Sequence, residues 1–159
     1  SSLGDGIFDA VRWMDTNGLI SIGSDSNIRI SLSEELRTLD YSQRLRDRTR
    51  AALATPDMST GRRLLEAALR GGAASAGRNT GSIRTGAWAD FLTLDADHVD
   101  LADLRGDTLL DSYIFAGDDS MIQDVWSAGR HMVQQGRHIK RDQIEASYRS
   151  AMRRLKEAL

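Results

Sequence analysis

Apolar positions recur every three or four residues in the first part of the chain, which is the spacing of one face of a helix. The segments with this spacing are residues 5–17, 31–54 and 60–70. Ser31 and Glu34 fit a capping box, in which a serine side chain accepts a hydrogen bond from a backbone amide where a helix begins. Gly71 and Gly72 interrupt the third segment, so we expect that helix to break there.

A short, partly β-branched apolar run at residues 19–23 predicts a buried parallel strand. It follows the helix-ending pair Asn17-Gly18 directly, and a helix, a tight turn and a buried strand make half of an α/β unit. One strand cannot form a sheet, because both of its edges would carry unpaired backbone groups. Residues 1–77 are therefore predicted to be part of a larger α/β structure.

After Gly77 the pattern changes to short apolar runs bounded by Gly and Asp, which predict strands. These runs are residues 82–83, 91–94, 113–115 and 125–126. Residues 125–133 place two apolar arms around a glycine turn, as in a β-hairpin. From Asp142 onward, apolar residues return to helical spacing and predict a terminal helix. They are Ile144, Tyr148, Met152, Leu155 and Leu159.

Composition and charge exclude several classes of protein. The chain has 159 residues, of which 40% are apolar and 28% charged, with a net charge of −2. These values are typical of a globular protein with one sizeable core and argue against intrinsic disorder, a nucleic-acid-binding surface or a membrane span. The absence of cysteine excludes disulfides and thiolate metal ligands. The first residue is a serine, so we expect a processed chain or a piece of a longer one.

Asp25 is the strongest candidate for chemistry, because it follows the predicted strand within a run of small polar residues. Active sites of barrels and open α/β sheets lie at the carboxyl ends of their strands. A carboxylate there can bind a metal or act as a general base. Aspartate is also common in turns and helix caps, and the residues alone leave both roles open.

The histidines and one arginine-rich stretch carry weaker indications. His98, His131 and His138 lack the spacing of a metal-binding pair, which favours structural roles for them. Residues 44–50 contain four arginines that could hold an anion. The acidic residues nearby favour a solvated helix with ion pairs instead.

Four stretches of the chain, in order, resemble the amidohydrolase superfamily. They are residues 3–8, 23–27, 81–92 and 125–136. Residues 23–27 are similar to the end of that superfamily's eighth barrel strand, where an aspartate binds the catalytic metal. The last two stretches are similar to the entrance and the C-terminal hairpin of its small β-sandwich. No stretch corresponds to the superfamily's paired histidines after the first barrel strand.

The resemblance implies an α/β fold class, made of the last elements of a metal-dependent (β/α)8 barrel, part of a small β-sandwich and a C-terminal helix. Residues 1–77 would be the end of the barrel, residues 78–141 the β-sandwich portion and residues 142–159 the helix. Because a complete barrel takes about 250 residues, the resemblance covers only the C-terminal third or so of such an enzyme.

Further similarity is to superfamily members that deaminate a formimino-substituted glutamate during histidine degradation. It lies in residues 24–27, 33–37, 41–48 and 110–117. The resemblance implies one divalent metal ion, zinc in most members, with Asp25 as both a metal ligand and the catalytic proton acceptor. It also implies that Asp5, Ser26 and Asn27 bind the small-molecule substrate.

The implied partner is the missing N-terminal half of the barrel, within a cytoplasmic homodimer that binds neither nucleic acid nor membrane. One carboxylate is fewer than the three protein ligands of a catalytic zinc, so we expect these residues to be inactive in isolation. Two alternatives remain open. One is another deaminase or a chlorohydrolase of the same superfamily, and the other is a non-catalytic assembly module derived from such an enzyme.

Overall fold

The structure, a computed structural model, describes residues 6–159 and is a mixed α/β arrangement of five helices and four strands within that range. The helices are α1 (Ala10–Asp15), α2 (Leu32–Asp47), α3 (Thr60–Ala76), α4 (Asp107–Phe115) and α5 (Arg141–Ala158). The strands are β1 (Phe91–Leu94), β2 (Ile122–Ser127), β3 (Arg130–Gln134) and β4 (Arg137–His138). The strands form one antiparallel sheet in chain order. Among the described residues, no helix is long and apolar enough to cross a membrane.

The second helix begins where the capping pattern predicts and ends earlier than expected. The Ser31 side chain accepts a hydrogen bond from the Glu34 amide at 3.4 Å. The expectation that this helix runs to residue 54 is wrong, because Arg48 adopts a left-handed φ of 54° and ends it. Leu53, placed in the loop that follows, is fully buried in the core.

The third helix continues through Gly71 and Gly72 to Ala76, so the expected break is wrong. The glycine at position 71 instead allows a close packing contact between the helix and residues 19–23. A Cβ atom on Gly71 would overlap the carbonyl group of Ile20 and lie 2.9 Å from the Ile20 nitrogen. Gly71 therefore allows the backbone of α3 to lie directly against this segment.

Residues 19–23, predicted to be a buried parallel strand, pair with no other strand in the described part of the chain. The segment nevertheless has the alternation of a strand. Ile20 and Ile22 are half-buried against the core, whereas Ser21 and Gly23 are exposed. The segment is not hydrogen-bonded as a strand because a parallel strand needs neighbouring strands, and residues 6–159 place none beside it.

The sheet contains the strands expected at 91–94 and 125–126, and the hairpin is confirmed. Its turn residues Ala128 and Gly129 have positive φ values of 52° and 75°, as a tight hairpin requires. The strands expected at 82–83 and 113–115 are wrong. Residues 82–83 lie in an irregular connection, and 113–115 end α4, because short apolar runs fit a buried helix as well as a strand.

The core lies where α4 packs against α2 and α3. Leu36, Leu64 and Ile114 are its fully buried members from these three helices. The terminal helix is confirmed as α5, and none of its residues is buried against the rest of the described chain. Its predicted apolar face, from Ile144 to Leu159, therefore stays exposed.

Candidate active site

A cavity of about 410 Å³ opens at the end of the segment formed by residues 19–23. Its walls are residues 6–8 and 21–27, and its third side is one face of α2. The α2 residues that line it have the spacing of adjacent turns of one helix face. They are Glu35, Thr38, Leu39 and Ser42.

Asp25 lines this cavity and lies in a turn, which is one of the two roles that the sequence leaves open, and its chemical role stays a prediction. Its φ is 46°, a left-handed conformation that aspartate tolerates better than most residues. The Asn27 amide closes the turn by donating to the Ser24 carbonyl at 2.8 Å. The turn keeps the Asp25 side chain exposed next to the cavity, where a substrate can reach it.

Ser26 and Asn27, two of the predicted substrate-binding residues, line the same cavity. The Asn27 side-chain amide donates to a Glu35 carboxylate oxygen at 2.6 Å, which ties the turn to α2. The third predicted residue, Asp5, lies outside the described residues. The structure thus brings three of the four predicted site residues together, and their roles remain predictions.

Gln43 is a residue of this region that the sequence did not single out. It is fully buried on α2, its side-chain nitrogen donates to the Phe8 carbonyl at 2.8 Å, and its side-chain oxygen accepts from the Ala10 amide at 3.1 Å. The available signal was its position seven residues after Leu36, which places a polar residue on the buried face of the helix.

The residues of this chain do not form a complete zinc site by themselves. The Asp25 carboxylate has the chemistry of one zinc ligand, and a catalytic zinc takes three protein ligands. Among residues 6–159, no group of three His, Asp or Glu side chains is arranged to hold a metal ion. A catalytic zinc at this cavity would therefore need further ligands besides Asp25.

The histidines lie away from the cavity and make structural contacts. The His131 ring nitrogen Nε2 is 2.7 Å from an Asp124 oxygen, and its ring stacks on Trp126 with centroids 4.2 Å apart. His98 and His138 each accept a hydrogen bond from a backbone amide two residues further on. These contacts agree with the structural roles that their spacing favours.

The arginine-rich end of α2 contains an ion pair between the half-buried Arg44 and the fully buried Asp40. The Arg44 Nε atom is 2.5 Å from a carboxylate oxygen of the fully buried Asp40. Its guanidinium lies 5.3 Å from the ring centres of both Tyr41 and Phe115. Burial raises the pKa of Asp40 above its ordinary value, and the attraction of Arg44 opposes this shift.

Comparison with known proteins finds a deiminase, an amidohydrolase and a deaminase that are similar to this chain. Formimidoylglutamate deiminase of Pseudomonas aeruginosa is 48% identical over 139 residues, which are 87% of this chain and 31% of that enzyme. An amidohydrolase from Brucella melitensis superimposes with a TM-score of 0.87 and 41% identity, covering 97% of this chain and 34% of its own. An adenosine deaminase from Xanthomonas campestris with bound zinc has a TM-score of 0.75 and 25% identity, with coverages of 93% and 34%. No protein-family model matches.

The chain therefore spans about a third of the length of the relatives that it matches. Its match is to their C-terminal part. The expected fold class is confirmed, with the last barrel elements followed by a small antiparallel sheet and a C-terminal helix.

Proposed function

We propose that this chain, which matches the C-terminal part of amidohydrolase-superfamily proteins in sequence and in fold, is the last part of a barrel that deaminates N-formimidoyl-L-glutamate. The complete enzyme, in this proposal, is this chain together with the rest of the barrel. The observation that carries the proposal is the 48% identity to a formimidoylglutamate deiminase across 87% of this chain. The cavity at Asp25 supports it, because it lies at the end of the segment that resembles the eighth barrel strand.

The proposed reaction consumes N-formimidoyl-L-glutamate and water and yields N-formyl-L-glutamate and ammonia. Water adds to the formimino carbon, a carbon–oxygen bond forms, and the bond to the terminal nitrogen breaks. Asp25 takes the two protons of the water in turn, the first as the water adds and the second as the hydroxyl group becomes the carbonyl, and delivers both to the departing nitrogen, so that neutral ammonia leaves. An exposed carboxylate held beside the cavity by the turn at residues 24–27 suits this double role.

We propose one divalent metal, zinc, bound by Asp25 together with ligands from the part of the barrel outside this chain. The bound zinc of the Xanthomonas adenosine deaminase supports this choice. Such an ion supplies Lewis-acid chemistry and lowers the pKa of a bound water to about 7. Ser26 and Asn27 bind the substrate in this proposal, together with Asp5.

The proposal also includes the assembly and the cellular location of the complete enzyme. The complete enzyme joins this chain to the N-terminal half of the barrel, forms a homodimer and acts in the cytoplasm in histidine degradation. Light scattering of the purified complete enzyme tests the homodimer directly. A mass of two protomers supports the homodimer, and a mass of one protomer contradicts it.

Ammonia release by the purified complete enzyme tests the proposed reaction. We expect release from N-formimidoyl-L-glutamate, none after removal of the metal and recovery on adding zinc. Preferential ammonia release from adenosine would instead favour another deaminase of the superfamily, and chloride release from a chlorinated substrate would favour a chlorohydrolase. A complete enzyme that binds no metal and acts on none of these substrates would favour the assembly module.

The isolated chain provides a second test, because it supplies too few ligands for a catalytic zinc. We expect residues 1–159 alone to release no ammonia, with or without zinc. Ammonia release in proportion to added metal would contradict the proposal and would indicate a site contained within this chain.

A further inference from the structure

Helix α2 contacts two walls of the Asp25 cavity through side-chain hydrogen bonds. Near its beginning, Glu35 accepts from Asn27 and ties down the turn that carries Asp25. Near its end, Gln43 binds Phe8 and Ala10 and ties down residues 6–10. Between these two points the helix itself forms the third side of the cavity.

The Gln43 amide is fully used. Its nitrogen donates to the Phe8 carbonyl at 2.8 Å and to the Ser42 hydroxyl at 3.0 Å, and its oxygen accepts from the Ala10 amide at 3.1 Å. The side chain is completely buried. A buried amide whose groups are all paired defines one geometry, because leaving any of these groups unpaired in the interior is costly.

Within residues 6–159, packing alone holds residues 6–8 weakly. Ile7 and Phe8 are 50% and 53% exposed to solvent there, and Gly6 has a positive φ of 85°. Phe8 makes one edge contact with Trp13, at a centroid distance of 6.1 Å. The hydrogen bonds from Gln43 therefore connect this wall of the cavity to the rigid part of the fold.

We propose that Gln43 is a positioning residue that sets the place of residues 6–8 relative to Asp25 and so the fit of the substrate. This inference rests on the proposed function. A small displacement of a wall that positions the substrate slows catalysis strongly, since a misplacement of about 1 Å can lower the rate about 100-fold. Gln43 lies outside the cavity lining, so its effect is transmitted through Phe8 and Ala10.

The test compares three variants of the complete enzyme. Gln43→Leu introduces an apolar side chain of similar size and removes both long-range hydrogen bonds. Gln43→Glu keeps the shape and can donate to Phe8 only when its carboxyl group is protonated. Leu36→Val is the matched control, because it trims a buried residue of the same helix that does not line the cavity.

We expect Gln43→Leu to raise KM for N-formimidoyl-L-glutamate roughly tenfold, with a smaller effect on kcat and unchanged metal content. Leu36→Val should leave KM at the wild-type value. For Gln43→Glu, the ratio of its KM to the wild-type KM should approach 1 near about pH 5 and rise toward about pH 8, because burial favours the protonated carboxyl. A Gln43→Leu enzyme with lowered thermal stability and wild-type KM would overturn the proposal.

Hydrogen–deuterium exchange separates this inference from the proposed function. Peptides covering residues 6–15 should exchange faster in Gln43→Leu than in wild type or Leu36→Val. This readout needs no turnover, so it stands even if the complete enzyme does not act on N-formimidoyl-L-glutamate. Unchanged exchange in this peptide would show that Gln43 does not hold the wall.

Discussion

Adjacent glycines in α3 should respond in opposite ways to the same substitution. A Cβ atom at Gly71 overlaps the Ile20 carbonyl group, whereas a Cβ atom at Gly72 meets nothing within 4 Å. Both positions are within the helix, so the change in helix propensity on substitution by Ala is the same. Gly71→Ala and Gly72→Ala therefore isolate the packing of α3 against residues 19–23.

The magnitude follows from two opposing terms. Ala in place of Gly within a helix gains about 1 kcal/mol. At position 71 the new methyl group meets backbone rather than a flexible side chain, so the helix and the Ile20 segment must separate by more than about 1 Å to restore contact distances near 3.5 Å. Overpacking of this kind costs about 1–3 kcal/mol or more. We expect a net loss of about 2 kcal/mol for Gly71→Ala and a gain of up to about 1 kcal/mol for Gly72→Ala.

Thermal unfolding of the two variants of the complete enzyme, followed by circular dichroism, measures the difference. We expect Gly71→Ala to unfold at a lower temperature than wild type and Gly72→Ala at the same or a slightly higher temperature. Gly71→Ala should also lower kcat, because the displaced segment leads directly to Asp25. Equal stabilities for the two variants would refute the close approach of α3 to residues 19–23.

Three further predictions concern groups outside the cavity. Substitution of His131 or His138 by Gln in the complete enzyme should leave the metal content unchanged in elemental analysis, and metal loss would mean that the site lies elsewhere. The hydrogen bond from the Ala128 amide lowers the pKa of Asp90, so the ionised carboxylate stabilises the fold at pH values above its ordinary pKa of 3.8, and this stabilisation is lost as the pH falls. The loss of stability caused by Asp90→Asn should therefore become smaller in acid. A loss that stays constant in urea unfolding at different pH values would contradict this. The pKa of Asp40 is raised, so its effect on stability has the opposite pH dependence: it is largest below pH 3.8 and is lost as the pH rises through the folded-state pKa. The stability of Asp40→Asn should therefore rise relative to that of wild type over this pH range. Parallel pH profiles of stability for the two proteins would contradict this.

Local rules predicted the parts of the fold that local interactions determine. The cap at Ser31 is a contact between residues three apart, and the turn at Ala128 and Gly129 follows from the twist of a two-strand hairpin. The end of α2 escaped prediction because Arg48, a residue with no special preference for it, adopts the left-handed conformation. Leu53, five residues further along the chain, is fully buried in the core, and the spacing within the helix does not show this long-range contact.

Long-range contacts explain the remaining differences. The pair Gly71-Gly72 is typical of a helix break. The role of Gly71 depends instead on its contact with Ile20, which lies 51 residues earlier in the chain. The place of Asp25 beside a cavity was predictable, because strand ends are the usual place for active sites, and its role stays a prediction. The importance of Gln43 was not predictable, because it comes from partners on α1 and the preceding loop, and no spacing within α2 reveals them.

The role of Asp25 is tested most directly by Asp25→Asn in the complete enzyme, with Asp103→Asn as the matched control. Both aspartates are exposed and have left-handed φ values, 46° and 59°, which asparagine also tolerates, so neither change strains the backbone. The measurement is ammonia release from N-formimidoyl-L-glutamate together with zinc content. We expect Asp25→Asn to lose at least about 10²–10⁴-fold in kcat and to retain less zinc, and Asp103→Asn to match wild type. Full activity and full zinc occupancy in Asp25→Asn would contradict the assignment of the active site.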